Sequence, residues 1–278
     1  MNRRDFLAGA AALTLAAPAF AAPFASTRFS VRVRGAGPDV ILIPGLTASR
    51  DVWNASVAAV PGYRYHLLQV AGFAGAPVGG NAKGAVLPAL TDELARYIRA
   101  AGLKRPAIVG HSMGGTLAMM LAARHPALAG RIMVVDMLPA PAGLVGATAT
   151  GIRPLADWLF RNFGQTPAGR QMFTSMLAGR SGPGLRGSDP EFVARVTHEL
   201  AMTDLARELP RIKAPMTVVY ATPRPAEGVD PQRVVDDFGR AYGRSGAQLR
   251  RIANSGHMLM LDQPAAWARE LRGFLAAG

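Results

Sequence analysis

Ala107-Ile108-Val109-Gly110-His111-Ser112-Met113-Gly114-Gly115 is the stretch that decides the fold of this chain. Ala107–Gly110 is a short apolar run bounded by Pro106 and the elbow glycine, as suits a buried strand of a parallel sheet. Met113–Arg124 is apolar nearly all round, which predicts a buried helix packed on that sheet. Between strand and helix the chain reads G-x-S-x-G. A serine at such a junction sits in a tight, strained turn, so its neighbours must be small. Gly110 and Gly114 let adjoining segments approach without a Cβ clash. The turn lifts the Ser112 hydroxyl above the sheet, where a base can reach it. It also places the Met113 N–H at a helix start, where it can stabilise an oxyanion. A Gly-rich helix start without chemistry shows the same five residues, so the flanking strand and helix carry the assignment of Ser112 as nucleophile.

Further strands are predicted at Phe29–Arg34, Val40–Ile43, Tyr65–Val70, Ile132–Asp136, Met216–Tyr220 and Leu249–Ile252, each bounded by Gly, Pro or charged residues. Phe29–Arg34 alternates, as an edge strand with one solvated face should. Leu87–Ala101 places Leu87, Leu90, Leu94 and Ile98 at helical spacing and stops at Gly102, and Pro264–Leu275 is amphipathic. Strand and helix alternate, which implies an α/β fold with a doubly wound, mostly parallel sheet. The exception is about 138–211, which is Gly- and Pro-rich, helical or looped, and without a clear strand. It reads as a helical cap inserted over the sheet.

The chain has 278 residues, half of them hydrophobic, enough for one large α/β domain. Its formal net charge is +13, from 31 Lys+Arg against 18 Asp+Glu. The arginines are scattered, and the lysines are Lys83, Lys104 and Lys213, so no basic stripe points to nucleic acid. Cysteine is absent, which removes thiol nucleophiles, disulfides and thiolate metal sites. No metal-ligand cluster, Walker loop or dinucleotide fingerprint occurs, and no cofactor is expected.

Residues 1–21 read MNRRDFLAGAAALTLAAPAFA: Arg3-Arg4, then Asp5-Phe6-Leu7, an Ala/Leu run and a small-x-small end at Ala19-Phe20-Ala21. This resembles the bacterial twin-arginine export signal. The apolar run of about fifteen residues is short for the roughly 20 that span a bilayer. The expectation is therefore a cleaved leader, a 22–278 domain that is periplasmic or secreted, and no stable membrane insertion afterwards.

The chain from about Ser30 onward resembles the α/β-hydrolase superfamily. GHSMGG is a frequent nucleophile-elbow sequence there. Leu42-Ile43-Pro44-Gly45-Leu46 matches its strand followed by a Pro-Gly turn. The resemblance implies a helical cap inserted after strand 6, and an oxyanion hole made by the N–H groups of Leu46 and Met113. The histidines are His66, His111, His125, His198 and His257. His257 stands in Asn254-Ser255-Gly256-His257-Met258, after the last strand and before the last helix, followed by Asp262-Gln263-Pro264, as the family places its base. It would take the Ser112 proton on attack and return it to the leaving group. On the same pattern the His111 side chain points away from the nucleophile.

The acid departs from the usual pattern. After Met216–Tyr220 the chain runs Ala221-Thr222-Pro223-Arg224-Pro225-Ala226-Glu227-Gly228-Val229-Asp230, with no carboxylate where the turn normally supplies one. Asp136, at the end of the preceding strand, resembles the acid position of the haloalkane dehalogenase branch. Asp136 is favoured, with Asp230 and Glu227 as alternatives. A Ser-His-Asp triad of this kind predicts hydrolysis of a carboxylic ester or related acyl bond in a small-molecule substrate, through an acyl-Ser112 intermediate. An acyltransferase or perhydrolase would carry the same triad, and a binding protein with this fold would carry it broken. In the cap, Leu144, Trp158, Leu159, Phe160, Phe173, Met176 and Leu177 are candidates either to line an acyl pocket or simply to pack the cap onto the sheet.

Overall fold

Along the inner strands every second apolar side chain points the same way, so the sheet must be covered on both faces. The computed structural model describes residues 24–160, 187–224 and 229–277, and in it the strands β1 (Phe29–Arg34), β2 (Asp39–Ile43), β3 (Arg64–Val70), β4 (Ala107–His111), β5 (Arg131–Val135), β6 (Met216–Thr222) and β7 (Gln248–Ala253) form one sheet. The order is β1-β3-β2-β4-β5-β6-β7. Only β1 runs antiparallel, pairing Phe29 with Val70 at the edge. All other pairings are parallel.

Ile41, Ile43, Ile108, Ile132, Val134 and Val218 face one core layer, whose helices are α2 (Leu87–Ala100), α3 (Met113–Arg124), α5 (Pro190–Met202) and α6 (Pro231–Tyr242). Their neighbours Val40, Leu42, Val109, Met133, Val135 and Val219 face the other layer, with α7 (Leu259–Asp262) and α8 (Pro264–Ala276). Val60, just beyond α1 (Asn54–Ala59), and Trp53, just before it, join that second layer. The Trp53 and Trp267 rings lie 5.9 Å apart, and Trp267 Nε1 donates to Ser56 Oγ at 2.8 Å. The doubly wound α/β sheet is thus the one the alternation predicts.

The helical insertion follows β5, not a sixth strand, because each of the five apolar runs before it forms one strand and no other precedes it among the described residues. Of the cap expected at 138–211, the described parts are a 3-10 turn at Pro141–Val145, α4 (Ala149–Leu159), α5 and a 3-10 turn at Leu209–Arg211. Phe173, Met176 and Leu177 lie outside the described residues, as do the expected leader and Glu227. Among the described residues no helix is long and apolar enough to cross a membrane.

The return half of the insertion is tied to the core at several points. Phe192 of α5 packs on Phe73 with ring centroids 4.8 Å apart. Gly75 N donates to Gly187 O at 2.7 Å, and Asp189 N to Gly72 O at 2.8 Å. The Glu199 carboxylate accepts from Val86 N at 2.7 Å and from Leu87 N at 2.9 Å. α2 has no side-chain cap of its own at Val86, so a residue from α5 satisfies its first N–H groups and complements its dipole. α4 is held to α5 in turn, His198 Nε2 meeting Asp157 Oδ1 at 2.6 Å.

Glu199→Ala leaves those α2 donors unsatisfied, and a loss of about 1–2 kcal/mol is expected. Urea unfolding followed by circular dichroism checks it: the midpoint falls while the slope stays.

Candidate active site

The site is built on the ends of β4, β5, β6 and β7. Ser112 has φ 53° and ψ −120°, outside the regions open to ordinary residues, and is the hinge between β4 and α3. The crowding around it explains the glycines. A Cβ on Gly110 would lie 2.0 Å from Gly114 O, and one on Gly114 would lie 2.3 Å from Ile43 O. The elbow therefore packs directly on the Ile43-Pro44-Gly45 turn. A Cβ on Gly45 would come within 3.1 Å of Ser112 Cβ and 2.9 Å of His111 Nδ1.

Met113 is buried at the first position of α3, where a helix N–H has no intrahelical partner. Leu46, half-buried, follows Gly45 in the adjoining turn. The two expected oxyanion donors thus sit on two turns in direct backbone contact.

Asp136 follows β5 and is also at positive φ, 51°, which a short polar side chain tolerates. Its two carboxylate oxygens are both engaged. Oδ1 accepts from Ala221 N at 2.9 Å, and Oδ2 meets His257 Nδ1 at 2.7 Å. A carboxylate only accepts, so His257 carries a proton on Nδ1 in this contact and turns Nε2 away from Asp136. The Asp136 side chain is 12% exposed and that of His257 40%. The structure brings Asp136 to His257 across 121 residues of sequence. Asp230 does something else: it caps α6, its Oδ1 accepting from Gln232 N at 2.9 Å.

The His257 loop is held from three sides. Gly256 N donates to Asp262 Oδ2 at 2.9 Å, and Gln263 Nε2 to Asn254 O at 2.8 Å. His111 Nε2 donates to His257 O at 2.8 Å, and the two imidazoles lie 4.6 Å apart. The carbonyl can only accept, so His111 bears its proton on Nε2. Among the described residues its Nδ1 is buried without a hydrogen-bond partner. Burial holds His111 far below the ordinary histidine value, to about 3, with His257 beside it adding to the shift and the bond to His257 O opposing it. Of the remaining histidines, His66 lies in β3 against Asp39 Oδ1 at 2.8 Å, and His125 ends α3.

Sequence reasoning missed the holding roles of His111 and Ala221 N. The Asp262-Gln263 pair was visible only as a family continuation, although an Asp and a Gln shortly after a Gly-His loop could have suggested capping. Among the described residues, no group of three His, Asp or Glu side chains is placed to hold a metal.

Comparisons with known proteins identify the family of this fold. The model of the alpha/beta hydrolase family matches residues 40–270. A pimeloyl-[acyl-carrier protein] methyl ester esterase from Vibrio atlanticus is 25% identical over 264 residues, covering 87% of this chain and 96% of the relative. Among solved structures, a thermophilic esterase from Thermogutta terrifontis superposes with a TM-score of 0.71 at 19% identity, covering 89% of this chain and 93% of that one. An enol-lactonase from Burkholderia xenovorans gives 0.63 at 20% identity, covering 89% and 96%. At such identities the two structures establish the shared fold.

The neutral, buried His111 makes a prediction about acid stability. The unfolded chain protonates this histidine below about 6.5, whereas the folded chain does so only near 3. Its contribution to stability is therefore intact above about 6.5 and is lost as the pH falls toward 3, with a slope of up to about 1.4 kcal/mol per pH unit. His111→Gln, which keeps a donor for His257 O, should remove that component. Denaturant titrations at a series of pH values compare the two slopes.

Proposed function

The chain belongs to the alpha/beta hydrolase family, and from that premise we propose that it is a serine hydrolase cleaving a carboxylic ester or related acyl bond. The observation that carries the reading is the Asp136 Oδ2–His257 Nδ1 contact of 2.7 Å at the C-terminal ends of the strands, where the Ser112 elbow stands. In this reaction Ser112 Oγ attacks the acyl carbon and gives its proton to His257 Nε2. Asp136 keeps the imidazole in the required tautomer and stabilises its cationic form. The oxyanion that develops faces the Met113 and Leu46 N–H groups. His257 then protonates the leaving alcohol; water enters, loses a proton to His257 as it attacks the acyl carbon, and His257 returns that proton to Ser112 Oγ as the acid departs. The similarity to curated methyl ester esterases over most of the chain supports an oxygen ester as the bond cleaved. The twin-arginine leader supports action outside the cytoplasm, and replacing Arg3 and Arg4 by Lys should retain the protein in the cytoplasm on cell fractionation.

Labelling with a fluorophosphonate, with the adduct located by peptide mass spectrometry, tests the nucleophile. Stoichiometric modification of Ser112, lost in His257→Ala, is expected. Ser112→Ala should abolish turnover of a short-chain p-nitrophenyl ester with the unfolding midpoint preserved. Asp136→Asn should lower kcat by about 10³–10⁴-fold. A folded protein that forms no adduct would sink the reading, and near-normal activity of Asp136→Asn would remove Asp136 from it.

A further inference from the structure

The loop that carries Leu46 is packed on the core and on the elbow beside it. Ala48 N closes a turn on Gly45 O at 3.2 Å, and Thr47 within that turn is buried with φ 62°. A buried amide also pins the loop from outside. Gln69, one residue before the end of β3 and only 8% exposed, accepts from Arg50 N on Oε1 at 2.9 Å. Its Nε2 faces three carbonyls: Phe73 O at 3.1 Å, and Ala48 O and Val70 O at 3.4 Å each. Two protons serve three acceptors, so one goes to Phe73 O and the other is shared between Ala48 O and Val70 O.

We propose that Gln69 is a positioning residue for the reaction, setting the Leu46 N–H against Ser112 by clamping both ends of the turn from Ala48 to Arg50. The proposal rests on the serine-hydrolase reading above. Arg50 supplies a second, outer anchor, its guanidinium donating to Ser30 Oγ and to Leu67 O. Gln69 differs from it in acting on the backbone of the turn itself and in reaching the segment that bears the cap. Phe73, whose carbonyl takes the Gln69 proton, also packs on Phe192 of α5, and Ala74 N donates to Ser188 Oγ at 3.0 Å. A single buried amide therefore spans the oxyanion turn, the sheet and the loop under the cap. Oxyanion donors work only when they stand where charge develops, and a small misplacement costs rate without weakening substrate binding.

The test compares wild type, Gln69→Met, which keeps length but no hydrogen bonds, and Gln69→Asn, which keeps an amide drawn back from Arg50. Steady-state kinetics are measured on a p-nitrophenyl ester and on the thionoester of the same acyl group, whose larger, softer sulfur gains less from N–H donors. The expected result is a fall of at least tenfold in kcat for the oxygen ester. KM should stay within about threefold, and the ester-to-thionoester ratio should shrink toward one. If Gln69→Met does not fold by circular dichroism, the same pattern is read in Gln69→Asn. Unchanged kcat with a lowered unfolding midpoint, or equal losses on both substrates, would overturn the proposal and leave Gln69 a purely structural residue. Wild-type protein that forms no phosphonate adduct and turns over neither substrate fails at the earlier step, and the proposal falls with the serine-hydrolase reading.

Discussion

Backbone hydrogen bonds that run just past the ends of the strands hold everything else in place. Ser112 N donates to Val135 O at 2.9 Å, Asp136 N to Val219 O at 2.8 Å, and Ser255 N to Thr222 O at 3.1 Å. Each bond extends a parallel ladder into a loop, to the first residue after β4 and β5 and the second after β7, and at Ser112 and Asp136 that residue is also where φ turns positive. A residue in that conformation turns the chain sharply away from the strand direction. The ladder therefore determines where the chain leaves the sheet, and the unusual dihedral determines which way. Strain of about 1–3 kcal/mol at such a position persists only if the surroundings over-determine it. Here a whole parallel sheet with apolar layers on both faces does so.

Much of this was legible in the sequence because it is local. The G-x-S-x-G turn needs a strand before it and a helix after it, and α3 has the bounds its apolar run predicts. The inner strands fall within one or two residues of their apolar runs, since a strand buried on both faces has no other reason to be apolar throughout. α6 went unnamed, although Asp230-Pro231 is a cap followed by a Pro at the first helical position and Val234, Val235, Phe238 and Tyr242 recur at helical spacing.

What was not legible is how distant segments satisfy one another. No residue pattern says that the end of β6, lacking a carboxylate, instead supplies a backbone N–H to the carboxylate at the end of β5. That exchange depends on β5 and β6 being neighbours with Val135 level with Val219. Any residue at position 221 except proline would provide the same N–H, so composition there carries no trace of the role. The Glu199 bond to the start of α2, spanning 113 residues, is invisible for a similar reason. A glutamate in an amphipathic helix is ordinarily read as part of its solvated face.

His111 shows how packing reaches into chemistry. Its imidazole lies 4.6 Å from that of His257, which becomes cationic in the proposed reaction. A second unit charge at that separation would oppose the proton transfer by about 4 kcal/mol at an effective dielectric constant near 20. Full burial removes that opposition, since a pKa of about 3 leaves His111 neutral throughout the range in which a histidine base works. Neutrality also fixes what the ring can do: with its one proton on Nε2 it serves His257 O, and its bare Nδ1 sits against Gly45. A side chain at position 45 would meet that nitrogen and Ser112 Cβ together. The glycine of the oxyanion turn, the neutral ring and the strained serine are thus one packing unit, in which a change of size at Gly45 would be felt at both Ser112 and His257.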